Sequence, residues 1–180
     1  MVFLDLSDKN LTILPNIPEY ITYIDCSNNN LSDITIPSNV ECFDCSDNNL
    51  SQIIIPSTLK NLTCNSNNLT EINIPNTLKN LNCSGNNLTK LKIPSTLKYL
   101  DCSDNNLSQI NIPDTLKYLN CSYNNLTVIP NKKFQSIIMN FDDLTDEITN
   151  YNKIRLNSVN SIPRNLIKEK ELRKLIMTYI

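Results

Sequence analysis

Six cysteines fall at a single interval. Cys26 is followed by Cys45, Cys64, Cys83, Cys102 and Cys121, each 19 residues after the last. Pro18, Pro37, Pro56, Pro75, Pro94 and Pro113 keep the same period. One such unit buries almost nothing alone. Units stacked side by side as a parallel sheet, about 4.8 Å apart, build a continuous core.

Around each cysteine the chain reads like Leu97-Lys98-Tyr99-Leu100-Asp101-Cys102-Ser103-Asp104-Asn105-Asn106-Leu107, that is, L-x-x-L-x-C-x-x-N-x-L. The pattern recurs from Leu59 to Leu69, Leu78 to Leu88 and Leu116 to Leu126. With Ile or Val leading, it also covers Ile21 to Leu31 and Val40 to Leu50. It resembles the leucine-rich repeat family, with cysteine at the third apolar position. The short unit with Ile-Pro before Leu-x-x-Leu is similar to the subclass found in bacterial effectors, and Asn-rich versions occur in giant DNA viruses and amoebae. The resemblance implies that Asn29, Asn48, Asn67, Asn86, Asn105 and Asn124 form a ladder bonding neighbouring backbone groups, a task suited to an amide with donors and an acceptor.

The expected fold class is an α/β-type repeat solenoid with a parallel concave β-sheet, an extended or polyproline convex side and a C-terminal capping helix. Leu100 and Cys102, two apart on a strand, point inward, and Tyr99, Asp101 and Ser103 outward. A 19-residue unit leaves no room for a packed helix on the return, and proline in each return favours extended chain. The expected divisions are a capping repeat over 1–20, regular repeats over 21–130, degenerate repeats over 131–162 and a capping helix over 163–180. In the first unit Lys9 replaces the ladder Asn. Phe134, Ile137, Met139, Asp142 and Leu144 fit a degenerate unit, and Tyr151, Ile154 and Leu156 a shortened one. Leu166, Ile167, Leu175, Ile176 and Tyr179 would form the helix's apolar stripe.

Several function classes are disfavoured. The net charge of −2 gives no overall basic field for nucleic acid. The chain lacks histidine altogether, so the usual base and metal ligand are missing. Cys42 and Cys45 mimic a C-x-x-C site, but residues three apart on a strand face opposite ways, so neither a metal nor a disulfide is expected. The remaining cysteines read as small core residues in a reducing compartment. We expect no enzyme activity, catalytic residue, metal or cofactor. The ubiquitin-ligase domain joined to some effector repeats does not carry over, since the last cysteine is Cys121. No signal peptide or membrane-spanning run is visible, so the expected location is intracellular, in the cytoplasm. Sequons such as Asn68-Leu69-Thr70 recur at a repeat position and read as structural.

Three outward columns should line the concave sheet: Asp5, Asp25, Asp44, Thr63, Asn82, Asp101, Asn120; Phe3, Tyr23, Cys42, Asn61, Asn80, Tyr99, Tyr118; and Asp8, Asn28, Asp47, Ser66, Gly85, Asp104, Tyr123. Lys60, Lys79, Lys98 and Lys117 mark the strand starts. The candidate partner-binding residues are Tyr99, Asp101, Asp104, Tyr118, Tyr123, Lys98 and Lys117, with Asp25, Asp44 and Asp47 in an acidic N-terminal zone. Tyrosine supplies a large, stiff contact with a polar tip. The leading expectation is a non-enzymatic scaffold for a protein partner, with no nucleic acid and no membrane. A structural, self-associating protein of virion type is the alternative. A small-ligand sensor ranks third, because no pocket of convergent polar groups is evident.

Overall fold

The computed structural model describes residues 2–127 and 137–138. Eight parallel strands lie in chain order in one sheet. They are β1 (Phe3–Asp5), β2 (Tyr23–Asp25), β3 (Cys42–Asp44), β4 (Asn61–Thr63), β5 (Asn80–Asn82), β6 (Tyr99–Asp101), β7 (Tyr118–Asn120) and β8 (Ile137–Ile138). Register is kept without stagger from Phe3↔Tyr23 through Tyr99↔Tyr118. In β8, Ile137 pairs with Leu119.

Strands β1 to β7 are only three residues long because only the middle residue is needed inside. Ile24, Phe43, Leu62, Leu81, Leu100 and Leu119 fill that position and are buried. Two residues beyond each comes a cysteine, also buried, from Cys26 to Cys121. The core of one turn then closes with the Leu after the ladder Asn (Leu107), two return residues (Ile110, Ile112) and the Leu three residues after the proline (Leu116). Burying one such Leu or Ile side chain contributes about 1.5–3 kcal/mol, and the sum is reached only through stacking.

The returns are extended and carry no helix among the described residues. They alternate inward and outward: Ile53 is buried while Ile54 beside it is 84% exposed. Each proline opens a turn back to the sheet, its carbonyl accepting from the amide three residues on, as Pro94 does from Leu97 at 3.1 Å. Proline suits this place because it presets φ and its carbonyl remains free to accept.

The ladder asparagines bond backbone groups of their own turn and of the turn before. Asn67 Nδ2 donates to the Cys45 carbonyl of the preceding turn at 2.9 Å and to Cys64 and Asn65 of its own. Its Oδ1 accepts from Leu50 N at 2.9 Å. The same set recurs at Asn48, Asn86, Asn105 and Asn124. Asn29 makes it with the first turn, where Lys9 N and Leu11 N share its Oδ1.

The cysteines form a parallel stack of unpaired thiols. Burial pushes the Cys64 thiol up to about 12 and raises Cys45, Cys83 and Cys102 well above their ordinary value. Cys42, half-buried on the outer face, is separate from this stack, in agreement with the strand geometry. Phe134, Met139, Asp142, Leu144, the shortened unit and the expected helix over 163–180 lie outside the described residues, as does the side chain of Ile137.

Candidate functional site

The outer face of the sheet is built by residues flanking each buried strand centre. At the first strand position two aromatic pairs stand apart. The rings of Tyr99 and Tyr118 stack with centroids 4.1 Å apart and planes 3° from parallel. Those of Phe3 and Tyr23 lie 4.7 Å apart, tilted by 45°. In-register parallel strands make these contacts, because identical positions on neighbours sit side by side. Between the pairs the column is polar: Asn61 Nδ2 donates to Cys42 Sγ at 3.0 Å, and Asn80 Nδ2 donates to Asn61 Oδ1. Burial first, then the hydrogen bond with Tyr99, pushes the Tyr118 hydroxyl up to about 12.

The aspartate column has a local task that its assignment to partner binding did not include. Asp25 Oδ1 accepts from Ser27 N at 3.0 Å and from Ser27 Oγ at 2.6 Å, fixing the turn out of the strand. Asp5, Asp44 and Asp101 repeat this arrangement with Ser7, Ser46 and Ser103. Asn82 and Asn120 do the same with Ser84 and Ser122, so the turn needs the oxygen and not the charge. Burial, with the charges of Asp25 and Asp47 adding, holds the Asp44 carboxyl above the ordinary range despite its bonds from Ser46. Asp5, at the exposed margin, is lowered by its Ser7 bonds.

The third column is set by backbone conformation. Asp8, Asn28, Asp47, Ser66, Gly85, Asp104 and Tyr123 all have positive φ, between 52° and 60°. Asp and Asn tolerate this region and Gly prefers it, whereas a bulky residue does so at a cost. Tyr123 is the exception in kind, with its side chain 54% exposed. Asp104, one turn before it in the same column, is exposed, as is Asp47 four turns away. At the strand starts Lys60 pairs with Glu41 at 2.6 Å, and Lys98 Nζ donates to the Thr115 carbonyl at 3.3 Å.

The structure therefore sets Tyr99, Tyr118, Asp101 and Lys98 on adjacent strand positions, with Asp104 and Tyr123 where the chain leaves β6 and β7. Asp25, Asp44 and Asp47 gather three strands or more away. The Phe3–Tyr23 pair was not singled out from the sequence. Its signal is the repeated aromatic-x-Asp triplet, in Phe3-Leu4-Asp5, Tyr23-Ile24-Asp25 and Tyr99-Leu100-Asp101. No group of three or more His, Cys, Asp or Glu side chains among the described residues could hold a metal ion. Nor is any helix there long and apolar enough to cross a membrane.

The profile of the Leucine Rich Repeat family matches three consecutive segments, residues 77–100, 96–114 and 115–137. Residues 77–137 are thus similar to leucine-rich repeats. No curated protein matches it in sequence. Among solved structures, the chain is similar to the leucine-rich-repeat domain of a Shigella effector. The TM-score is 0.77 at 25% identity, covering 89% of this chain and 78% of that one. It is also similar to the effector YopM from Yersinia pestis, with TM-score 0.68, 24% identity and coverage of 76% and 42%. The functional domain of InlJ from Listeria monocytogenes, which includes a cysteine ladder, gives 0.55, 26%, and coverage of 72% and 36%. The chain thus spans less than half the length of YopM and InlJ.

Proposed function

We propose that this chain is a non-enzymatic scaffold that binds a protein partner on the outer face of its sheet. The observation that carries the reading is the mutually stacked Tyr99–Tyr118 pair, with Tyr99 exposed and Tyr118 half-buried, beside Asp101 and Asp104 on strands whose backbone is fixed on both sides. A rigid face loses little freedom when a partner docks, and tyrosines are effective anchors there. The likeness to a Shigella effector repeat domain supports a pathogen protein acting on host proteins; a viral source, a cytoplasmic location and a partner that is neither nucleic acid nor membrane belong to the proposal itself.

The test is affinity capture from lysate of the native or host cell, comparing wild type with a folded Tyr99→Ala/Tyr118→Ala/Tyr123→Ala variant. A partner held by the first and lost by the second supports the reading. A partner held equally by both removes the tyrosine face from it.

One observation favours the second reading, self-association. Leu4, Leu6, Leu11, Leu14 and Ile17 of the first turn are only partly buried, and β1 has a neighbour on one side only. A particle size that grows with concentration in light scattering would move this reading ahead.

A further inference from the structure

The two aromatic pairs are chemically alike and sit far apart on one face. Each exposes ring surface, with Phe3 52% and Tyr99 41% accessible. Each lies two residues along the strand from carboxylates, Asp5 and Asp25 at one end and Asp101 at the other, and residues so spaced share a face. These aspartates hold hydrogen bonds from neighbouring serines at Oδ1, and Asp101 also accepts from Asn120 Nδ2 at 3.0 Å, but the Oδ2 of each keeps a lone pair to accept from a partner. Asp25 and Asp44 are in-register neighbours, so like charges are held side by side.

We propose that the outer face takes an extended, basic polypeptide segment carrying two arginines, one seated on each aromatic pair. This rests on the protein-binding reading and names the partner's chemistry. Guanidinium is planar: it stacks on an aromatic face and offers paired N–H donors to a carboxylate beside it. An acidic segment would meet aspartates at both ends. The lysines at the strand starts confine the complementary positive charge to the middle of the strands, which argues against a uniformly basic partner.

The stretch between the pairs fits this occupant. Cys42, Asn61 and Asn80 are uncharged and hydrogen-bonded to one another, so a peptide backbone can pass over them. From the midpoint of β1 and β2 to that of β6 and β7 is five strand steps. At about 4.8 Å each, this is roughly 24 Å. An extended chain covers that in about seven residues at ~3.3–3.6 Å apiece.

The experiment is fluorescence anisotropy of the full chain with labelled synthetic Ser/Pro-rich peptides. One carries two arginines about seven residues apart, one carries them adjacent, and one carries two glutamates at the wide spacing. The widely spaced arginine peptide should bind about tenfold more tightly than the adjacent one, because the second contact becomes intramolecular. Phe3→Ala/Tyr23→Ala and Tyr99→Ala/Tyr118→Ala should each reduce it to the affinity of the adjacent peptide. Asp25→Asn/Asp101→Asn should weaken it as well while melting like wild type, since Asn82 and Asn120 already hold the same turn. Equal binding of all three peptides, or preference for glutamate, overturns the proposal. Those results leave the scaffold reading standing, because that reading falls only if lysate capture ignores the outer face.

Discussion

The side chain of Asn48 reaches back one full turn to donate a hydrogen bond to the carbonyl of Cys26, at 3.0 Å. Its Oδ1 takes the amide of Leu31 from that same turn. Every ladder asparagine is thus a staple between its own unit and the one before, buried where water cannot replace it.

Asn67→Ala should therefore be among the most damaging single changes. It orphans Leu50 N and leaves the Cys45, Cys64 and Asn65 carbonyls short of a donor. With about 1–3 kcal/mol for each strongly buried group left unpaired, we expect a loss of about 2–4 kcal/mol in urea unfolding. Asn68→Ala, one residue on and exposed, should change stability by less than about 0.5 kcal/mol.

The thiol stack makes the fold sensitive to alkali. Cys26, Cys64 and Cys121 are pushed up to about 12, against an ordinary value of 9. A raised folded pKa contributes stability that is complete below pH 9 and disappears as pH climbs through 12, because the unfolded chain releases its protons first. Midpoints of denaturant unfolding should fall steadily above pH 9. A thiol reagent at neutral pH should label Cys42 quickly and the six stacked cysteines only on unfolding.

Asp44 separates charge from hydrogen bonding. Asp44→Asn keeps the oxygen that holds Ser46 and removes repulsion from Asp25 and Asp47, so stability should hold or rise slightly at low salt. Asp44→Ala loses the turn bond and should cost about 1 kcal/mol. Because the Asp44 pKa is raised on folding, its unfavourable share appears as pH rises through the carboxylate range. The advantage of Asp44→Asn should accordingly vanish in acid, as thermal melts across that range would record.

Tyr123 and Gly85 occupy the same left-handed position in different turns, with φ 52° and 60°. A Cβ on Gly85 would meet Ser66 N at 3.4 Å, ordinary contact, so Gly85→Ala tests conformation alone and should cost about 1 kcal/mol. Tyr123→Gly should leave the fold as stable or stabilise it by up to about 1 kcal/mol. If Tyr123 is kept for binding, the same change should weaken partner capture.

Tyr118 offers a spectroscopic check on the stacked pair. Its hydroxyl, pushed up to about 12 by burial and by the hydrogen bond it donates to Tyr99, should ionise late in an ultraviolet titration. Tyr99→Phe removes the bond and should bring that step down while the ring stack persists.

The repeat, the strand centres and the ladder were legible in the sequence because one residue type at one position does one job in every turn. Cys and Asn announce themselves by recurring. The left-handed column was not seen, because Asp, Asn, Ser, Gly and Tyr meet its backbone demand in different ways, and only the lone Gly85 hinted at it. The aspartates were assigned to a partner on the strength of their outward direction. That direction was right, but the serine two residues on engages one of their oxygens first. The Tyr99–Tyr118 contact required knowing that the strands carry no stagger, which spacing alone implies only if each return is equally long.

That absence of stagger has a consequence for how such a protein changes length. From β2 to β7 every seam between turns is the same seam: a ladder amide, a thiol stack and a leucine column. Removal of one 19-residue unit from the centre would bring two compatible turns together and leave the local contacts intact. What would change is the reach between the aromatic ends, by about 4.8 Å for each turn removed or added. The solenoid then behaves as a ruler whose graduations are repeats, and the span it measures can be reset without redesigning either end.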